Sequence, residues 1–337
     1  MSEAVRAAVV GAGSWGTALA ALLARKNHEV TLWSYESSVV EAINRHHVNP
    51  YLEGVTLPGA LRCTADLADA VRGAQLVVSV SPSQFVGHVM AAAAAHIAPE
   101  ATVVSASKGI ELDTLRRMDE VLGGVLPSSV MERFCVLSGP SFAAEVARGG
   151  PTAVVVASRD QDAAIRAQTL FQTDTFRVYT NADVVGVELA GALKNVIAVA
   201  AGCTAGLGFG HNTMAALITR GLAEITRLGV AMGAEKATFS GLAGMGDLVL
   251  TCTGSLSRNR TVGYRLGKGE TLQAILADMK AVAEGVKTAE AAYALAGRHA
   301  VEMPIAEQVY AIVHEGRKPS DALRALMLRD PKPEEWS

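Results

Sequence analysis

The hexapeptide Gly11-Ala12-Gly13-Ser14-Trp15-Gly16 constrains this chain more than any other feature, because of what stands on either side of it. A β-branched run at 5–10 leads into it, and a helical pattern at 17–25 leads out. Glycines at those three positions meet three needs: a tight turn, close backbone approach to a bound group, and close helix-to-strand packing. A helix opening directly from such a turn offers unsatisfied N–H groups and the positive end of its dipole to the pyrophosphate of a dinucleotide. The turn is therefore expected to bind one, with Gly11, Gly13 and Gly16 in the turn.

The rest of the first half supplies the fold in which that turn works. Short apolar runs at 7–10, 30–33, 76–80, 102–105, 134–137, 153–157 and 176–180 alternate with helical patterns. Strand following helix following strand predicts parallel pairing. Several runs are apolar throughout, as strands covered on both faces require. Beyond 180 the pattern becomes long apolar stretches broken by glycine, with helical periods at 214–228, 271–279, 288–296 and 306–314. The fold class is thus α/β: an N-terminal Rossmann-type doubly wound sheet followed by an all-α C-terminal domain. The boundary falls near Thr180 to Asp183, where Asn181 is a candidate helix cap, dividing the chain into 1–180 and 181–337. Two domains suit 337 residues that are 50% hydrophobic. The charged, Pro-containing tail 330–337 is expected to fray.

Charge excludes a class of partner. The chain has 30 Lys plus Arg against 33 Asp plus Glu and no basic run, so no nucleic-acid partner is expected. Four widely spaced cysteines, Cys63, Cys135, Cys203 and Cys252, suggest neither a disulfide framework nor a zinc site; no metal is expected, and a reducing cytoplasm fits. No export signal precedes the first strand, and the apolar stretch 189–219 carries polar residues and glycines that argue against a membrane span.

Several residues are candidates for chemistry. Glu36, about 20 positions past the glycines, either accepts the adenosine ribose hydroxyls, where it would repel a 2′-phosphate, or is a surface residue of a loop. The segment 34–37 has no Lys or Arg, which favours NAD, although Arg45 or another residue could swing in for NADP. Lys108 follows a strand, at the sheet edge where ligands bind; it either faces substrate or is solvated. The tight turn Ser138-Gly139-Pro140-Ser141 lies at the same edge, with Ser141 also a candidate helix cap. Lys194 is the only Asp, Glu, Lys or Arg between Glu188 and Arg220. Partial desolvation on an apolar helix would suit it to proton exchange, and Gly191, one turn earlier, would leave room for a ligand; the alternative is a lysine that snorkels to the surface. Asp247, after Gly241, Gly244 and Gly246, could orient Lys194, bind substrate hydroxyls or cap a helix. Ser257, Arg258 and Asn259 just before a helical run make an anion site. The glycine clusters, including 202–210, suggest where backbone and ligand come close.

Six ordered blocks, GAGSWGTALA, SKGIE, SGPSFAAEVA, YTNADVVGVELAGALKNVIAVAAG, GLAGMGDLVLTCTGSLSRNR and EGVKTA, resemble those of the bacterial NAD(P)-dependent glycerol-3-phosphate dehydrogenase family over nearly the whole chain. The resemblance implies a dinucleotide-binding domain and a helical substrate domain with catalysis in the cleft between them. It implies interconversion of sn-glycerol 3-phosphate and dihydroxyacetone phosphate, NAD or NADP as cofactor, a small phosphorylated substrate, a homodimer, and supply of glycerol 3-phosphate for phospholipid synthesis. Lys194 would be the general base and acid. Lys108, Gly139, Ser141, Asp247, Ser257, Arg258 and Asn259 would hold substrate with it, and Ser14, Trp15, Tyr35, Lys108, Ala143, Arg258, Val282 and Glu284 would line the cofactor. Many family members carry His or Arg after the second strand, where this chain has Ser34 and Tyr35. Two rivals remain: a dehydrogenase of a β-hydroxy acid or sugar phosphate, and an NAD(H)-sensing module without turnover.

Overall fold

Runs of small and β-branched side chains build the strands, and the depth of their burial sets their place in the sheet. The structure is a computed structural model that describes residues 4–279, 282–331, 333 and 334. It divides into two compact units, Met1–Glu111 with Arg116–Val184, and Leu112–Leu115 with Val185–Ser337.

The first unit holds an eight-stranded sheet: β1 (Arg6–Val10), β2 (Glu29–Trp33), β3 (Arg62–Thr64), β4 (Leu76–Ser79), β5 (Thr102–Ser105), β6 (Phe134–Ser138), β7 (Thr152–Ala157) and β8 (Phe176–Asn181). Their spatial order is β3-β2-β1-β4-β5-β6-β7-β8. The chain winds outward from β1 to β3, then crosses back to place β4 on β1's other side. That reversal puts the switch point of the sheet beside β1, where Gly11 begins its turn. Strands β4, β5 and β6 are buried at every residue, which explains their unbroken apolar runs. The helices of this unit are α1 (Ser14–Arg25), α2 (Ser37–His46), α3 (Leu67–Val71), α4 (Val86–Ala93), α5 (Met118–Gly123), α6 (Ser128–Met131), α7 (Ala143–Ala147) and α8 (Gln161–Phe171). Residues of α1, α2, α7 and α8 join alternate strand residues such as Val9, Val78, Val104 and Leu137 in one apolar core.

The pairing departs from the parallel expectation at one place. Strands β6 and β7 run antiparallel, with Leu137 opposite Val156. The connecting helix α7 has five residues and so rises only about 7.5 Å, whereas returning along β6 would need about 17 Å. The chain therefore turns straight back. Strand β3 was not foreseen, because three residues at a sheet edge carry no readable period. Asn181 ends β8 instead of capping a helix: its Oδ1 accepts the N–H of Asp183 at 2.9 Å.

The second unit is helical: α9 (Val184–Gly206), α10 (His211–Ala231), α11 (Asp247–Thr253), α12 (Arg258–Gly267), α13 (Leu272–Asp278), α14 (Glu284–Arg298), α15 (Pro304–His314) and α16 (Pro319–Met327). Helix α9 is long and apolar enough to cross a membrane, but 89% of its most apolar window is buried within the protein. A helix apolar on all sides is a core helix when other helices surround it, and glycines let them approach. A Cβ on Gly202 would lie 2.1 Å from the Arg260 carbonyl oxygen, and one on Gly263 1.9 Å from that of Val199. Helices α9 and α12 therefore touch backbone to backbone, and Gly202 and Gly206 serve this packing. The expected fraying of the tail 330–337 falls partly on residues 332 and 335–337, which lie outside the described residues; Arg220 donates to the Glu334 carbonyl at 3.2 Å.

Candidate active-site residues

The glycine turn in the first unit is a cradle that side chains would fill. Gly11 adopts φ +129°, and a Cβ there would lie 2.9 Å from the backbone of Val80 and Ser81. A Cβ on Gly16 would stand 1.9 Å from the Gly11 carbonyl oxygen. Gly13, by contrast, is exposed and has open space where its Cβ would be. It is the N-cap residue of α1, with no side-chain cap and no acidic residue in the first turn. Free N–H groups and an open approach at a helix N-terminus fit a dinucleotide's pyrophosphate. Ser14 and Trp15 form the start of the same helix, half-buried.

Asn49, which sequence reasoning missed, braces this turn. Buried behind it, its Nδ2 donates to the Ala12 carbonyl at 2.9 Å and to Thr17 Oγ1 at 2.7 Å. Its only sequence signal is a polar residue in a loop, which is too common to read. At the end of β2, Tyr35 is 87% exposed and the Glu36 carboxylate accepts the Tyr51 hydroxyl, 2.7 Å from one oxygen and 3.0 Å from the other.

The carboxyl edge of the sheet gathers three more of the expected residues. Lys108 Nζ donates to the Gly139 carbonyl at 3.2 Å, and Ser141 Oγ donates to the same oxygen at 2.9 Å. Ser141 is thus engaged within its turn and does not cap α7, whose N-cap is Phe142; Ala143 is that helix's first residue. Gly139 takes φ +135°, which glycine adopts without strain, and a Cβ there would lie 2.9 Å from the Val154 Cα.

In the second unit, Lys194 is 6% exposed, so it does not snorkel to the surface. Its Nζ lies 3.0 Å from Asp247 Oδ1 and donates to Thr251 Oγ1 at 2.7 Å. The Thr251 hydroxyl in turn donates to the Asp247 carbonyl at 2.6 Å, one helical turn back. Asp247 is the first residue of α11 and is reached through a π-helical turn, Leu242–Gly246, with the Gly246 N–H on the Gly241 carbonyl at 3.1 Å. Within that turn, a Cβ on Gly244 would lie 2.1 Å from the Phe239 carbonyl oxygen. These glycines allow the tight path that delivers the carboxylate to Lys194. The carboxylate is the counter-ion of the buried lysine and offsets part of the cost of taking its charge out of water. Nearby, burial pushes the Cys252 thiol up to about 12, leaving it a neutral thiol.

Asn195, beside Lys194, was also missed. Its Oδ1 accepts from Asn259 Nδ2 at 2.8 Å, and Asn259 Oδ1 accepts the Gly285 N–H at 2.9 Å. Asn259 therefore ties α12 to α9 and α14. Ser257 Oγ accepts the Arg260 N–H at 3.2 Å and caps α12, and Arg258, the first residue of that helix, is exposed. A guanidinium at a capped helix N-terminus suits an anion. Glu284 opens α14, and Val282 is exposed just before it.

A Rossmann-type sheet with a glycine turn at its switch point, followed by a helical unit that buries a lysine, suits a dinucleotide-dependent dehydrogenase. Residues 6–164 match the N-terminus of NAD-dependent glycerol-3-phosphate dehydrogenase and residues 183–324 its C-terminus, and the chain belongs to that NAD(P)-dependent family. It is 59% identical over 337 residues to the NAD(P)+-dependent glycerol-3-phosphate dehydrogenase of Geobacter sulfurreducens, with 100% of each chain covered. It is 56% identical to that of Myxococcus xanthus, with 98% and 99% covered. Among solved structures it is similar to glycerol-3-phosphate dehydrogenase from Coxiella burnetii, with a TM-score of 0.91 at 39% identity over 97% of this chain and 99% of the other.

Proposed function

We propose that this chain interconverts sn-glycerol 3-phosphate and dihydroxyacetone phosphate with NAD(H) or NADP(H), in the cytoplasm, supplying glycerol 3-phosphate for phospholipid synthesis. The observation that carries the mechanism is the buried Lys194, held by Asp247 and Thr251. In this reading the first unit binds dinucleotide, the second carries the acid and base, and the nicotinamide supplies or accepts the hydride.

Removing a hydride from a secondary alcohol carbon requires loss of the hydroxyl proton, so a base must stand within hydrogen-bond reach of that oxygen. Lys194 Nζ takes the proton as neutral amine. In ketone reduction the ammonium polarises the carbonyl and returns the proton to the developing alkoxide. The Asp247 carboxylate keeps the lysine protonated for that direction and, with Thr251, fixes where Nζ points. Arg258 and the N-terminus of α12 hold the non-reacting phosphate, with Ser257 and Asn259 shaping that end of the helix. By the family resemblance Lys108, Gly139 and Ser141 would also contact substrate, and Gly11, Gly13, Ser14, Trp15, Gly16, Tyr35, Ala143, Arg258, Val282 and Glu284 would contact the cofactor.

The test measures initial rates of dihydroxyacetone phosphate reduction with NADH and with NADPH, for the native chain and Lys194→Ala. The native chain turns over with at least one nucleotide, and the variant loses about 1,000-fold or more in kcat while still binding nucleotide. Native-like rates in the variant would refute the role of Lys194. No turnover by the native chain with either nucleotide would refute the function.

A further inference from the structure

We propose that Ser107 is a positioning residue for the reaction: its hydroxyl, donating to the Ser81 carbonyl, holds Lys108 in register with the glycine turn. This role rests on the reading of Lys108 as a substrate contact, and deepens it.

The backbone ladder runs one residue past the ends of β4 and β5. The Val80 N–H donates to the Val10 carbonyl at 3.0 Å, and the Ala106 N–H to the Ser79 carbonyl at 2.8 Å. Pro82 then brings a residue with no N–H to extend it. From there two serine hydroxyls carry the connection across the carboxyl edge. Ser81 Oγ donates to the Val10 carbonyl at 3.2 Å, and Ser107 Oγ donates to the Ser81 carbonyl at 2.6 Å. Ser81 is buried and Ser107 half-buried.

The far end of this chain is the glycine turn itself. A Cβ on Gly11 would lie 2.9 Å from the Ser81 nitrogen and the Val80 carbonyl, so the turn lies directly against the backbone that anchors Ser107. The near end is Lys108. Residues 106–111 form neither helix nor strand, and side chains fix them instead: Ser107 at the start, and Gln84 toward the end, where its Nε2 donates to the Ile110 carbonyl at 2.7 Å. Ser107 thus fixes the backbone from which the Lys108 side chain leaves to reach the Gly139 carbonyl at 3.2 Å. A lysine stem is long and flexible, so anchoring its root narrows where the ammonium can stand.

The test compares kcat/KM for dihydroxyacetone phosphate in the native chain, Ser107→Ala, Ser107→Thr, Lys108→Met and the Ser107→Ala/Lys108→Met double variant. Each assay is saturated with whichever of NADH and NADPH gives the faster native rate. Ser107→Ala should lose about tenfold with an unchanged melting temperature, and Ser107→Thr, which keeps a hydroxyl, should stay within about threefold of native. Because the hydroxyl acts through the lysine, adding Ser107→Ala to Lys108→Met should cost at most about twofold more. Binding of the same nucleotide to Ser107→Ala, read by fluorescence titration, should stay within about threefold of native. A rate in Ser107→Ala within about twofold of native, an equal loss in Ser107→Thr, or a further loss of about tenfold on top of Lys108→Met would overturn the positioning role. Nucleotide binding weakened by as much as the rate would place the effect in the glycine turn and overturn it as well. Native-like rates in Lys108→Met would overturn it and leave the role of Lys194 standing, whereas no turnover by the native chain would overturn the dehydrogenase reading with it.

Discussion

Removing one member of the Lys194–Asp247 pair is predicted to cost more stability than removing both. The two side chains are 7% and 3% exposed and lie 3.0 Å apart, so solvent screens their attraction little. Breaking such a pair leaves one buried charge without its counter-ion, at about 3–5 kcal/mol, whereas replacing both groups costs less. Lys194→Met takes the ammonium away from the buried Asp247 carboxylate, whose Oδ1 the Thr251 hydroxyl approaches at 3.2 Å. Asp247→Asn takes the counter-ion from the buried ammonium, which still donates to the Thr251 oxygen at 2.7 Å. Each single variant should therefore lose about 3 kcal/mol and the double variant less than either, about 2 kcal/mol, so that about 4 kcal/mol of the summed loss is recovered. Thr251 is not orphaned in any of them, because its hydroxyl keeps the Asp247 carbonyl at 2.6 Å. The assay is urea unfolding of the four proteins of the cycle, followed by far-ultraviolet circular dichroism and by fluorescence so that the two units are not read as one transition. A coupling energy below about 0.5 kcal/mol would refute the argument that this is a desolvated ion pair.

Other perturbations probe different parts of the chain. Glu224 on α10 is 2% exposed and accepts the N–H groups of Ile305 at 2.9 Å and Ala306 at 3.2 Å, at the start of α15. Burial pushes its carboxyl up from 4.5 to about 7, so the folded state holds a proton that the unfolded chain releases. Stability from this group is therefore greatest below its unfolded value and declines as pH rises toward about 7. Glu224→Gln should remove that slope: between pH 5 and 8 the variant should gain on the native chain by up to about 3 kcal/mol, and a constant gap would refute it. Gly263→Ala forces a Cβ to 1.9 Å from the Val199 carbonyl oxygen, which must part α9 from α12 and should cost about 1–3 kcal/mol in a thermal melt. Gly13→Ala meets nothing within 4 Å, so it should fold within about 0.5 kcal/mol of native yet bind dinucleotide about tenfold or more weakly in the fluorescence titration.

How much of this was legible beforehand follows from how far each constraint reaches along the chain. Period and turn chemistry are local, so the strand and helix alternation, the glycine turn and the change to all-helix near 180 could be read directly. Lys194 also announced itself, as a lone charge in an apolar stretch. Local pattern alone therefore set the elements and the chemistry each one carries.

The tertiary structure decided which of those groups meet. Asp247 stands 53 positions from Lys194 in the chain, and only the packing of α11 against α9 makes it the lysine's partner instead of a cap or a solvated acid. Gly202 and Gly206 looked like room for a ligand and are room for a neighbouring helix, because a missing Cβ does not say what fills its space. The antiparallel turn-back between β6 and β7 depends on the length of α7, which is set by where its backbone hydrogen bonds stop. Glu36 could be named from its distance past the glycines, but the Tyr51 hydroxyl that holds it comes from a loop folded over by Asn49. Contacts between residues far apart in sequence depend on how the elements pack, and no local pattern of side chains encodes that.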